Sequence, residues 1–263
     1  MESAILSPRE IRRYGKQIML PEIGIKGQER IKQASVLVIG AGGLGCPVLQ
    51  YLTVAGIGKI GIAEFDTVDE TNLQRQVLYG SMDVGKLKSI IARDRLNHLN
   101  SLVSIEIINL RIDASSALKV ISNYDVIVDA TDNYDTRYLI NDACIMHAKP
   151  MVYGAIFRNE GRVSVFNYND GPSYRCFNPE DKSVQQTVKD PRPADVGLIG
   201  VLPGITGTIM ANEVLKIVTG TGVVLSGKIL IFNISGNNYR TIKISKNPEN
   251  FDKTAIRNRF ENQ

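Results

Sequence analysis

The chain has 263 residues, enough for one large α/β domain or two small ones. Its 43% hydrophobic residues supply a core, and its net charge of +4 is spread along the chain with no Lys/Arg block of nucleic-acid type. No apolar run reaches membrane-spanning length and the first residues carry no basic-then-apolar leader, so a cytoplasmic location without nucleic-acid or membrane partners is the expectation.

Ser7-Pro8-Arg9-Glu10 reads as the start of a helix over 7–19. Ser7 can cap it, Pro8 suits its first position, and Glu10 completes a capping box. Arg12, Arg13 and Lys16 form a basic cluster that serves equally well as a solvated helix face. A short helix over 27–33 then feeds the first strand.

That strand ends in the stretch around which the chain is organised, Val36-Leu-Val-Ile-Gly40-Ala41-Gly42-Gly43-Leu44-Gly45. Gly40, Gly42 and Gly45 have the G-x-G-x-x-G spacing that turns a strand sharply into a helix and lets phosphates reach backbone N–H groups. A tight strand–helix turn with no ligand would use the same glycines. The helix is expected over 45–55. A second strand from Lys59 runs into Glu64 and Asp66, and a carboxylate at Glu64 stands where ribose hydroxyls are bound in such sites.

The polar loop from Asp66 through Asn72, Arg75 and Gln76 leaves the carboxyl end of that strand, where ligand-lining loops lie. Asn72 and Arg75 are therefore candidates to face a nucleotide. Gly85-Lys86-Leu87-Lys88 opens a helix to about His98. Two lysines in a first helical turn oppose the helix dipole, and an anion beside them would remove the conflict. A strand over 103–110 and a helix over 114–122 follow.

Tyr124 through Asp129 reads as a buried parallel strand, followed by Thr131, Asp132 and Asn133. Asp132 there can bind Mg²⁺ alongside nucleotide phosphates, or it can cap the helix over 134–147; position alone does not separate the two. Strands over 151–156 and 161–168 precede an irregular stretch at 169–196, expected to be a mobile binding segment. A helix carrying Ile209, Met210, Val214 and Val218, with Glu213 and Lys216 on a polar side, leads to a closing hairpin over 228–244. From Asn247 the chain is polar and expected to be peripheral.

Cys46, Cys144 and Cys176 have no C-x-x-C spacing, which argues against a disulfide framework and a self-contained cysteine zinc site. Two histidines and no Ser-His-Asp arrangement leave phosphate-binding cations, one metal-binding Asp and backbone N–H groups as the chemical inventory. That inventory suits phosphoryl or nucleotidyl transfer.

Taken together, Arg13-Tyr14 through Gln17, Leu20-Pro-Glu-Ile-Gly24, Gly40 through Gly45, Asp66 through Gln76, Thr131-Asp-Asn133 and Gly200-Val-Leu-Pro-Gly204 through Glu213 resemble the MoeB/ThiF/HesA family. These are bacterial relatives of ubiquitin-activating enzymes, and the likeness covers about residues 9–245. It implies a Rossmann-like mixed α/β sheet with helices on both faces, an N-terminal helical extension and C-terminal antiparallel strands. The expected division is one adenylation domain over 1–263: extension 1–35, nucleotide-binding core 36–168, crossover loop 169–196, last helix and strands 197–246, and tail 247–263.

The resemblance further implies an adenylyltransferase that uses Mg-ATP to activate the C-terminal Gly-Gly carboxylate of a small ubiquitin-like sulfur carrier, as a homodimer. On this chain Gly40, Gly42, Gly43, Gly45, Glu64, Asp66, Asn72, Gln76 and Asn133 would hold the nucleotide. Arg75 and Lys88 would stabilise phosphate charge, Asp132 would bind Mg²⁺, and Lys16 would reach the partner's site. Four departures qualify it. Lys16 replaces the usual Arg, and Glu64 the usual Asp. Of the family's two zinc-binding C-x-x-C pairs only Ser173-Tyr-Arg-Cys176 remains, with Asn247-Pro-Glu-Asn250 near the end, so no zinc is expected. Pro193 aligns with a loop cysteine, so no covalent sulfur step is expected there. A catalytically silent carrier-binding protein and a dinucleotide-dependent oxidoreductase are the competing readings.

Overall fold

A computed structural model describes residues 5–180 and 197–261. Eight strands form one sheet in the order β3-β2-β1-β4-β5-β6-β7-β8. The first five are parallel: β1 (Ser35–Ile39), β2 (Lys59–Ala63), β3 (Ser104–Ile108), β4 (Val126–Asp129) and β5 (Met151–Phe157). Then β6 (Glu160–Phe166), β7 (Lys228–Asn233) and β8 (Asn238–Lys243) continue it antiparallel. This is the Rossmann-like mixed sheet expected from the resemblance.

The pleat sorts β1 between two cores. Val36 and Val38 pack with α4 (Gly45–Ala55), α5 (Lys88–Leu99) and the long helix α9 (Val201–Thr219), whereas Leu37 and Ile39 face α6 (Ala114–Ile121) and α7 (Tyr134–Met146). Both faces of the strand are buried, so it reads as a continuous apolar run. Helix α9 has 19 residues and is long and apolar enough to cross a membrane, the one such helix among the described residues. Here Thr206, Met210 and Val214 are fully buried, and a Cβ on Gly207 would meet the Leu44 carbonyl oxygen at 2.4 Å, so the helix lies directly on the start of α4.

Several elements depart from the sequence reading, each for a tertiary reason. The first helix breaks into α1 (Pro8–Arg13) and α2 (Gly15–Ile18). Tyr14 between them is turned into the core, with its ring against Gly56 and its hydroxyl accepting from Asn100 Nδ2 at 2.9 Å. Helix α3 starts at Gly24, three residues early. Glu213, expected on a polar face, is 2% exposed; it pairs with Lys216 and accepts the Leu225 N–H at 2.9 Å.

The stretch after Tyr168 is not irregular throughout. Tyr174 lies in a short helix α8 (Tyr174–Phe177), is 1% exposed, and packs against Tyr138, Tyr153 and Phe166. Arg175 beside it forks onto Asp142 with two bonds of 2.8 Å. A mobile segment beginning at 170 is therefore corrected for the residues up to 180. The remainder, with Pro193, lies outside the described residues. The expected peripheral tail carries α10 (Lys253–Glu261), whose Ile256 is fully buried and whose Arg259 joins Asp142 at 3.0 Å.

Candidate active site

The carboxyl ends of β1, β2 and β4 open into one cavity of about 520 Å³. It lies between β1 and β4, where the chain reverses its direction of travel across the sheet, the place at which doubly wound sheets leave a crevice. Gly40 leaves β1 with φ of +94°, a conformation that favours glycine. A Cβ on Gly45 would stand 2.0 Å from the Gly40 carbonyl oxygen, so these two glycines make the turn. Gly42 and Gly43 line the cavity, and their N–H groups have no backbone partner among the described residues. Gly45 does not line it; its part in the turn is close packing.

Ala41, between the glycines, is held on both sides. Its N–H donates to Glu64 Oε2 at 2.8 Å and its carbonyl accepts from the Tyr79 hydroxyl at 2.8 Å. Glu64 Oε1 also accepts the N–H groups of Phe65 (2.8 Å) and Asp66 (2.9 Å). The carboxylate expected to meet ribose is thus 6% exposed and already bound to three backbone donors, although it borders the cavity. Tyr79 escaped the sequence reading because its contact is 38 residues away in the chain. Burial raises its pKa, with Cys46, Glu64 and Asp66 adding to the effect, so it stays a hydroxyl donor.

The loop after β2 is short-circuited onto the start of α5. The Val68 N–H donates to the Lys86 carbonyl (2.8 Å) and the Lys88 N–H to the Asp66 carbonyl (2.9 Å). Lys88 becomes the first residue of α5, its side chain 7% exposed and 3.3 Å from the Asp66 carboxylate. Lys86 falls before the helix, exposed and 3.9 Å from Asp83, and does not line the cavity; the reading that placed it in the first helical turn facing a phosphate is corrected. Asn72 ends a 3-10 turn, and its carbonyl accepts the N–H groups of Arg75 and Gln76, both at 3.0 Å. Asn72 itself does not line the cavity, whereas Arg75 and Gln76 do.

At the end of β4 the helix cap is not Asp132. Asn133 caps α7, its side chain accepting the Thr136 N–H at 2.9 Å. Asp132 is left exposed at the cavity wall with no hydrogen bond among the described residues. One free carboxylate at the wall of a cavity lined by Gly42, Gly43, Arg75 and Lys88 fits Mg²⁺, which takes one or two carboxylates and completes its shell with phosphate and water. Lys16 sits exposed on α2 and does not line the cavity. Arg111, Arg137 and Arg162 border the cavity and were not singled out in the sequence, where nothing distinguishes them from surface cations.

The positions at which the resemblance implies zinc form a separate cluster that does not border the cavity. Ser173, Cys176, Asn247 and Asn250 do meet in space. The Cys176 sulfur accepts from the N–H groups of Ser173 (3.4 Å) and Asn247 (3.3 Å) and from Asn250 Nδ2 (3.4 Å). A single thiol ringed by N–H donors does not fit Zn²⁺, which needs four lone-pair donors. No group of three or more metal-ligating side chains occurs among the described residues. Cys46 and Cys144 are buried, and burial raises the Cys46 thiol to about 12.

A glycine turn, an acidic residue ending the second strand, and phosphate-scale cations around a switch-point crevice define a nucleotide-binding protein of the Rossmann type. Residues 14–253 match the model of the ThiF family, and the chain belongs to that family. It is 44% identical over 244 residues to the sulfur carrier protein adenylyltransferase of Thermus thermophilus, covering 91% of this chain and 89% of that protein. It is 43% identical over 251 residues to the probable adenylyltransferase/sulfurtransferase MoeZ of Mycobacterium tuberculosis, covering 94% of this chain and 63% of that one. Escherichia coli MccB, solved with MccA-N7isoASN, shares the fold at a TM-score of 0.80 and 21% identity, over 94% of this chain and 75% of that chain.

Proposed function

We propose that the chain uses ATP to adenylate the C-terminal carboxylate of a small ubiquitin-like sulfur carrier. The observation that carries this reading is the pairing of a glycine turn with Arg75, Lys88 and a free Asp132 around one cavity. Hydride transfer has no task for those three groups. Sequence identity of 44% along most of a sulfur carrier protein adenylyltransferase supports the same choice.

In the proposed reaction a carboxylate oxygen of the carrier attacks the α-phosphorus, the bond to the β-phosphate oxygen breaks, and pyrophosphate leaves with that electron pair. Negative charge builds on groups that are already anionic. Arg75 and Lys88 offset it, and the N–H groups of Gly42 and Gly43 supply fixed dipoles at no reorganisation cost. Asp132 would hold Mg²⁺, which neutralises the phosphate chain when bound. Tyr79 and Glu64 act one step back, by fixing Ala41 and so the glycine turn. A homodimer in which Lys16 completes the neighbouring site, and a carrier ending in Gly-Gly, belong to the same proposal.

The test is exchange of labelled pyrophosphate into ATP. Exchange is expected only with Mg²⁺ and a Gly-Gly-ended carrier present together. Binding of ATP and carrier without exchange would favour a silent carrier-binding protein instead.

A further inference from the structure

Thr131 is held by two groups from different elements. From the end of β4, Asp129 Oδ1 accepts the Thr131 N–H at 3.0 Å and the Thr131 hydroxyl at 2.6 Å. From α7, Arg137 Nη2 donates to the Thr131 carbonyl at 3.0 Å. Both side chains are out of water: Asp129 is fully buried and Arg137 is 7% exposed. The Thr131 carbonyl belongs to the peptide group that joins Thr131 to Asp132, so holding it sets the plane from which Asp132 projects.

Arg137 is built for holding. Its guanidinium lies over the rings of Tyr153 (5.3 Å) and Tyr134 (5.9 Å), and no carboxylate among the described residues lies within 4.0 Å of its nitrogens. Its Nε and Asp129 Oδ2 are buried without hydrogen-bond partners among the described residues. A desolvated guanidinium kept without a direct ion pair is expensive, which argues for a task beyond stability. Burial opposes its charge, but Tyr153, Asp129 and Tyr174 outweigh this and keep its pKa raised.

We propose that Arg137 is a positioning residue, clamping the Thr131 carbonyl against Asp129 so that the Asp132 carboxylate stands at a fixed place on the cavity wall. This rests on the reading of Asp132 as the Mg²⁺-facing group, and it assigns no contact between Arg137 and substrate. Asp132 has no hydrogen bond of its own among the described residues, so its position depends on the backbone behind it.

Two measurements on the full chain test this, with Arg137→Gln and the milder Arg137→Lys, which keeps one donor. The first is amide hydrogen exchange at Thr131, whose N–H is bonded to Asp129, in the absence of nucleotide and metal. Arg137→Gln is expected to speed exchange at this amide at least tenfold while the amides of β1 stay unchanged, with Arg137→Lys between. Unchanged exchange at Thr131 overturns the clamp, whatever Asp132 does. General acceleration including β1 would assign Arg137 to stability alone and overturn it too. The second is a double-mutant cycle on pyrophosphate exchange. Arg137→Gln is expected to cost roughly 10- to 100-fold, the scale of a small misplacement near a reacting centre, and to cost nothing further in an Asp132→Ala background. Additive losses would overturn action through Asp132. If Asp132→Ala alone leaves activity intact, the Mg²⁺ reading of Asp132 falls, while the amide result still decides the clamp.

Discussion

The sulfur of Cys176 and the backbone N–H of Asn247 lie 3.3 Å apart although 71 positions separate them in the chain. This contact, with Asn250 Nδ2 and the Ser173 N–H around the same sulfur, ties α8 to the segment that leads into α10. The C-terminal helix is thus held by hydrogen bonds at the place where the family resemblance implies zinc. A chelator is expected to leave the melting temperature unchanged, and elemental analysis to find far less than one zinc per chain. Cys176→Ala, which strands three N–H donors, is expected to cost about 1–3 kcal/mol in denaturant unfolding. A tightly held zinc would show that ligands exist outside this cluster.

The same thiol makes that stability depend on pH. Burial disfavours the thiolate, but the donors of Asn247, Asn250 and Ser173 outweigh it and lower the Cys176 pKa below its usual 9.0. An acid whose folded pKa is depressed stabilises most above its unfolded value and loses that contribution as pH falls through the folded value. The stability gap between the natural chain and Cys176→Ala is therefore expected to widen from about pH 6 to about pH 9. A gap that narrows over that range would show the sulfur to be a neutral thiol in the fold.

Gly42 and Gly45 separate binding from folding within one turn. At Gly45 a Cβ would stand 2.0 Å from backbone, and neither α4 nor β1 can move without disturbing the core. Gly45→Ala is expected to give little folded protein. At Gly42 the nearest atom is Gln76 Nε2 at 3.6 Å, an ordinary contact, and the methyl would project at the cavity wall. Gly42→Ala is expected to melt within a few degrees of the natural chain while its KM for ATP rises about tenfold or more, by analogy with losing one phosphate contact. Equal loss of folding in both variants would refute the division.

Much of this site is readable along the chain because it is local. The turn from β1 into α4 declares itself in the six residues Gly40–Gly45, and a helix start is legible after β4, although the cap falls on Asn133 and not on Asp132. What was not readable depends on contacts across the sheet. That Glu64 also braces the glycine turn is hidden until Ala41, 23 residues earlier, is placed donating to it. Arg137 is one arginine among many until its carbonyl partner is placed. Periodicity likewise missed α8 and α10, since short helices owe their stability to Tyr174, Arg175 and Ile256 packing and not to their own pattern.

Lys16 does not line the cavity of its own chain, which gives the dimer proposal a direct test. Subunits carrying Lys16→Ala are mixed with subunits carrying Asp132→Ala, each pair inactive alone. If each site borrows Lys16 from the other subunit, a mixed dimer holds one site with both residues intact, and part of the exchange activity returns. A chain that stays monomeric at assay concentration, or a mixture that stays inactive while mixed dimers form, would refute sharing.

Lys88 carries the heaviest electrostatic load in the proposed chemistry. It is a cation held 5% exposed at the N-terminal end of a helix, where the dipole disfavours it. Its one carboxylate partner among the described residues, Asp66, is itself half in water, with 53% of its side chain exposed. A partner that solvated screens the lysine weakly, and this leaves its charge directed at the cavity. Lys88→Ala is expected to lower pyrophosphate exchange on the order of 100-fold, the cost of removing a charge-stabilising donor. Asp66→Asn is expected to cost much less, since the amide oxygen still accepts from Lys88 and the backbone bridge from Lys88 to the Asp66 carbonyl does not involve the side chain. Both variants should keep the fold, because α5 is anchored by Ala92 and Leu96 and not by its first residue. If Asp66→Asn proves as damaging as Lys88→Ala, the ion pair itself is the working unit, and Lys88 does not act alone on the phosphates.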